Sequence, residues 1–151
     1  MHLNALICSY SSSVDIRTNQ VSIFNIIDSI ISSNFPIALG PISVLIILTR
    51  DPDEQAPSLR LQIKIEDQIL ADGPIMVDFQ EQFGTRTFAE IGALVIPGPG
   101  ILTFSLLKDG TEWGKWIAQV VNPGPTITQP EAIHQEDLKP RRNSKMKSSK
   151  T

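Results

Sequence analysis

Residues Gly98 to Val121 constrain this chain more tightly than any other stretch, because they set two β-prone apolar runs about a two-residue turn. Ile101 to Leu107 leads into Lys108-Asp109-Gly110-Thr111, and Trp113 to Val121 leads away from it. Asp-Gly between such runs predicts a hairpin with a primed turn, whose central residues must accept positive φ. With Asp109 and Gly110 as the turn, Leu106 stands opposite Trp113 and Leu102 opposite Ile117, so Leu102, Phe104 and Leu106 form the inward face. Strict alternation would then place Lys115 opposite Phe104, inside the core, where an unpaired charge costs several kcal/mol. A β-bulge at Gly114-Lys115 removes the conflict, since one extra residue flips the phase of everything after it. Trp116, Ala118 and Val120 are then expected inside, with Lys115 and Gln119 outside.

The rest of the apolar part reads as further strands. Leu3 to Tyr10 alternates weakly and is expected to end at Ser11-Ser12-Ser13, with Asp15 to Asn19 as a turn. Val21 to Ile31 is apolar in both phases, which suits a strand buried on both faces or one that bends near Asn25; a helix is the rival reading, and β-branched enrichment favours strand. Phe35-Pro36 and Gly40-Pro41 bracket a loop that feeds Ile42 to Leu48, the most apolar and therefore central strand. Ser58 to Glu66 alternates cleanly, with Leu59, Leu61, Ile63 and Ile65 on one side and Arg60, Gln62, Lys64 and Glu66 on the other, so its sheet has one wet face. Ile69 to Asp72 forms a short return, Pro74 to Gln80 carries Ile75, Val77 and Phe79 inward, and Thr85 to Ile96 is another strand. Eleven prolines and nine glycines, many clustered, supply the turns. The expected fold is all-β: an antiparallel β-sandwich of seven to eight strands.

Charge divides the chain. Residues 1–121 hold 7 Lys/Arg against 13 Asp/Glu, a net of −6, whereas residues 122–151 hold 6 against 3, a net of +3. The reading is a sandwich domain over 1–121, a Pro/Gly-rich linker over 122–130 and a disordered basic tail over 131–151. The single cysteine, Cys8, excludes an internal disulfide framework and fits a reducing compartment. No charged-then-apolar leader opens the chain, so no secretory signal is expected, and Ile42 to Leu48 is too short to span a bilayer.

Several stretches resemble a family of small single-domain bacterial β-sandwich proteins of uncharacterised function. The likeness rests on Ala5-Leu6-Ile7-Cys8, Ser22-Ile23-Phe24-Asn25-Ile26-Ile27-Asp28, and Phe35-Pro36 leading to Ile42. It continues through the Leu59 to Asp67 alternation and Pro99-Gly100 into Phe104-Ser105-Leu106-Leu107-Lys108-Asp109-Gly110. It covers roughly residues 3–121. The resemblance implies an immunoglobulin-like sandwich in the cytoplasm and brings no catalytic residue with it.

Site chemistry is sparse. His2 and His134 lie at the extremities, so no Ser/His/Asp set falls on one scaffold, and Cys8 has no base beside it and reads as a small core residue. Clustered Cys and His ligands for zinc are absent, and Gly98-Pro99-Gly100 lacks both the spacing and the lysine of a phosphate-cradling loop. No cofactor is expected. Asp51, Asp53 and Glu54, with Asp67 or Asp72, could offer oxygens to calcium, although acidic turns are more often simply solvated. Trp113 and Trp116 could stack on a carbohydrate, although the bulge turns at least one of them into the core. Lys139, Arg141, Arg142, Lys145, Lys147 and Lys150 could make weak, unspecific phosphate contacts with a polyanion; without aromatic neighbours they have no means of reading bases, and a solubilising tail is the alternative. A full core without reaction chemistry leads to a non-catalytic protein-binding or scaffold module, with a carbohydrate- or calcium-binding sandwich as the rival.

Overall fold

A computed structural model describes residues 1–124. The disordered tail expected over 131–151, and all of the linker but Asn122 to Gly124, lie outside the described residues. The fold is all-β and layered as a sandwich. One sheet has the order β2-β1-β5-β8, the other β3-β11-β10-β6-β7, and β4 and β9 form a separate two-stranded ladder.

The central strand is β5 (Ile42–Thr49), apolar in both phases because both of its faces are covered. Ile42, Val44, Ile46 and Leu48 are fully buried toward the other sheet. β5 lies between β1 (His2–Val14) and β8 (Gly84–Ile91), antiparallel to both. In the second sheet, β6 (Leu59–Ile65) alternates as its sequence does, its leucines and isoleucines inside and Arg60 exposed. It pairs with β7 (Gln68–Ile75) on one side and with β10 (Gly100–Lys108) on the other, and β10 pairs in turn with β11 (Thr111–Val121). The inward residues of both sheets meet in one cluster around Phe104, Leu102, Leu106, Ile63 and Ile46. Burying each such side chain is worth about 1.5–3 kcal/mol, and this is what holds the layers together.

The described residues form eleven strand segments where seven to eight were expected, because two runs that read as single strands are divided and one segment read as a loop forms a strand. β2 (Val21–Ile26) and β3 (Ser29–Ile31) come from one isoleucine-rich run. The bend expected near Asn25 is there, with Asn25 at φ 55°. Just beyond it the Ile27 N–H donates to the Cys8 carbonyl of the first sheet, and the Asp28 carbonyl accepts from Gln119 of the second. The chain changes sheets between these two residues, and apolarity in both phases follows from facing two sheets in turn. Likewise Gly92-Ala93 separates β8 from β9 (Leu94–Ile96), which pairs with β4 (Ile37–Leu39) in the segment read as a loop. Gly40, at φ 154°, lies so close to the Gly92 carbonyl that no side chain fits there.

Three further expectations change. Pro74 to Gln80 is no strand of its own: β7 runs to Ile75 and residues 76–83 form none, although Phe79 is buried as expected. β1 does not stop at the serines: Ser11, Ser12 and Ser13 pair with Phe24, Ile23 and Ser22 of β2. Hydroxyl bonding makes the polar run tolerable there, with Ser12 Oγ 2.9 Å from Ser43 Oγ. The hairpin turn is primed as expected, with Asp109 at φ 52° and Gly110 at φ 83°. Its bulge, however, comes one residue early. Leu107 faces Glu112 and Leu106 faces Gly114, so Trp113 is the extra residue rather than Gly114-Lys115. The reason is Leu3, which occupies the space a side chain on Gly114 would need. An inward glycine here makes room for β1. The phase after the bulge is as expected: Trp116 faces Phe104, Ala118 and Val120 are buried, and Lys115 is exposed.

Candidate functional site

The residues singled out for chemistry do not converge. Glu54 is drawn to the Met1 amine and accepts from the Asp51 N–H at 3.1 Å. That amine, followed by the Asp51 bond, lowers the carboxyl's pKa. Asp53 is exposed in the same loop. Asp67 belongs to the turn at the far end of β6, and Asp72 accepts from Arg60 Nη2 at 2.9 Å and from Gln62 at 3.2 Å. Among the described residues no three His, Cys, Asp or Glu side chains come together as metal ligands. The acidic loops are therefore three separate polar sites, and the calcium arrangement is not assembled.

The tryptophans are packed rather than presented. Trp116 is half-buried against the core, and its Nε1–H donates to the Ile27 carbonyl at 2.6 Å. This bond ties β11 to the point where the chain changes sheets. Trp113, also half-buried, has Lys108 Nζ 5.1 Å from its ring centroid, a cation–π contact that covers one face. Cys8 is completely buried, and desolvation drives its thiol pKa far upward, so it holds its proton and is no nucleophile. His2 is exposed at the start of β1. Just past Gly98-Pro99-Gly100, the Ile101 N–H donates to Glu66 Oε1 at 2.7 Å. His134 and the six basic residues Lys139, Arg141, Arg142, Lys145, Lys147 and Lys150 lie outside the described residues.

What the alternation of hydrophobic residues missed is the surroundings of β8. Two clefts adjoin this strand and share Met76, Thr87 and Phe88 in their walls. One, of about 420 Å³, opens between β7 and β8 and reaches the core residues Leu61 and Ile63. The other, of about 450 Å³, lies between β8, the tip of the β1–β2 hairpin at Val14, Asn19 and Val21, and the segment from Met76 to Gln82. Arg86 Nη1 donates to the Asn19 carbonyl at 2.8 Å and so holds that tip beside β8, although β2 and β8 are opposite edges of the sheet. The hairpin therefore folds across the outer face, where Leu45 is only 3% exposed.

Among the described residues β8 is itself an edge, paired with β5 alone. The Phe83 carbonyl accepts from the Arg50 N–H on the β5 side. Alternation from that bond turns the N–H and C=O groups of Arg86, Phe88 and Glu90 away from β5, toward the open edge. The outer face of the second sheet mixes exposed Ile69, Ile101 and Ile117 with Arg60–Asp72, Ser105–Glu112 and Lys115–Glu112 contacts. No helix among the described residues is long and apolar enough to cross a membrane. No protein-family model, curated protein or solved structure matches this chain.

Proposed function

We propose that this chain is a non-catalytic protein-binding module of immunoglobulin-like topology that engages its partner along the β8 edge. The observation that carries the reading is an eight-residue strand with an unpaired edge, set between two clefts. Immunoglobulin-like sandwiches place strands A, B and E in one sheet and C, F and G in the other, and E ordinarily has strand D as its second neighbour. In this reading β1, β5 and β8 correspond to A, B and E, and β7, β6, β10 and β11 to C′, C, F and G, which the strand order supports. Residues 76–83 form no strand where D would run, which leaves the edge of β8 open. Such an edge binds an extended segment through main-chain hydrogen bonds, with neighbouring pockets selecting side chains. A buried, single cysteine supports a reducing, cytoplasmic setting.

The test is capture of a partner from the native host by the whole chain, followed by amide exchange on the purified complex. Slowed exchange at Arg86, Phe88 and Glu90, and loss of capture when Phe88 is replaced by Pro, support the reading. Substrate turnover that disappears on changing one residue of either cleft would overturn it.

A further inference from the structure

The four edges of the two larger sheets, as the described residues form them, are not equally protected. β3 is three residues long, β2 reaches a left-handed residue at Asn25, and β7 contains Gly73, Pro74 and a register shift at Leu70. Short length, kinks and proline are the usual defences of an edge against strand addition. β8 has none of them: its pairing with β5 runs without interruption from Gly84 to Ile91, and no proline falls within it. Among the described residues its guards are two exposed charges on the outer face, Arg86 and Glu90, and, beside its first residues, the 76–83 segment, whose Asp78 carbonyl accepts from the Thr85 hydroxyl at 2.7 Å.

These charges are placed symmetrically about Phe88, each two residues away. An antiparallel strand repels or attracts according to what stands opposite, and a second β8 centred on Phe88 puts Glu90 opposite Arg86 at both ends. The same register sets Phe88 opposite Phe88, an aromatic cross-strand pair, and Thr87 opposite Ala89 on the inner side, where both residues are small. The backbone agrees with the side chains. Arg86, Phe88 and Glu90 are the residues whose N–H and C=O groups point to the open edge, and this register pairs them with one another. Arg86 gives one guanidinium nitrogen to Asn19 and Glu90 one carboxylate oxygen to the Ser43 hydroxyl, at 2.7 Å. Each has further donors or acceptors for a partner.

From this self-complementarity we infer that β8 pairs with β8 of a second copy of this chain, in a two-fold antiparallel register centred on Phe88, with Arg86–Glu90 pairs on either side. The inference rests on the reading of β8 as the binding edge and names its partner.

Sedimentation velocity on the whole chain tests it with two charge reversals. Wild type is expected to dimerise. Arg86→Glu sets glutamate against Glu90, and Glu90→Arg sets arginine against Arg86, so each variant alone should dimerise about tenfold or more less tightly, like charges opposite one another being destabilising. An equal mixture of the two variants restores both opposite pairs, and dimer should reappear as the heterodimer. That rescue does not depend on either variant being as stable as wild type, and circular dichroism shows that both are folded. A monomeric wild type at hundreds of micromolar would overturn the inference. So would a dimer indifferent to both reversals, or a mixture that stays monomeric. Those results would remove the self-partner only; the module reading fails instead on turnover at the clefts.

Discussion

Replacing Trp116 separates the two contributions that fix the closing hairpin. The indole is half-buried, packs against the core and donates to the Ile27 carbonyl at 2.6 Å. A large aromatic buries about 150–250 Å² when fully covered, so half-coverage removes roughly 100 Å² from water, worth ~2.5 kcal/mol at ~25 cal/mol per Å². The hydrogen bond adds ~1 kcal/mol net. Trp116→Ala should therefore cost about 3.5 kcal/mol, toward the low end for truncating a large aromatic because the site is partly open. Trp116→Phe keeps most of the ring and should cost about 1 kcal/mol, chiefly the lost bond to Ile27. Lys115→Ala, one residue before, should stay within ~0.5 kcal/mol, since it removes only an exposed ion pair. Urea unfolding followed by far-ultraviolet circular dichroism reads all three. If Trp116→Ala costs no more than Lys115→Ala, the phase set by the bulge at Trp113 is wrong. If Trp116→Phe matches wild type, the bond to Ile27 carries no stability and the link between hairpin and sheet change is only geometric.

Three further outcomes are expected. The Asp15 carboxylate accepts from the Thr18 and Arg17 N–H groups, which lower its pKa; its contribution to stability is present above the ordinary carboxylate range and is lost as pH falls through the lowered value. Asp15→Asn should flatten that acid limb in melting curves taken across pH, and an unchanged limb would remove Asp15 from the account. Cys8 should resist thiol reagents in the folded protein and react only as the chain unfolds, so labelling at neutral pH as fast as a free thiol would contradict its burial. Deleting residues 131–151 should leave the melting temperature within about 1–2 °C while abolishing any salt-sensitive binding to heparin, because the remaining domain is acidic. Equal heparin binding by both forms would refute the electrostatic reading of the six basic residues.

Much of the layering was legible in the chain because it follows from short-range rules. The alternation from Leu59 to Ile65 specifies one buried and one wet face, and the Asp109-Gly110 pair specifies its turn. Lys115 specified that a bulge must exist, since the alternative buries its charge. The position of that bulge was not legible, because it depends on Leu3, far back in the first strand, occupying the space above Gly114. The division of Val21 to Ile31 between two sheets was half legible: Asn25 marked the bend, but only contacts with Cys8 and Gln119 say that the chain changes sheets there.

The β8 edge was hidden for a different reason. Arg86 and Glu90, read along the chain, are an ordinary solvated face, and Thr85 to Ile96 alternates no better than many loops do. Whether a strand is an edge is decided by what does not come next to it, and that is a property of the whole topology. Here β7 ends at Ile75 and the chain reaches Gly84 without forming another strand, so β8 has one neighbour instead of two. The consequence for charge is concrete. Opposite charges two residues either side of a strand's centre satisfy the need for polarity on an exposed edge, yet they repel no antiparallel copy of themselves. An edge with the same sign of charge at both of these positions, two arginines or two glutamates, would be closed to its own kind. The arrangement of Arg86 and Glu90 is open to it, and reversing either charge should close it.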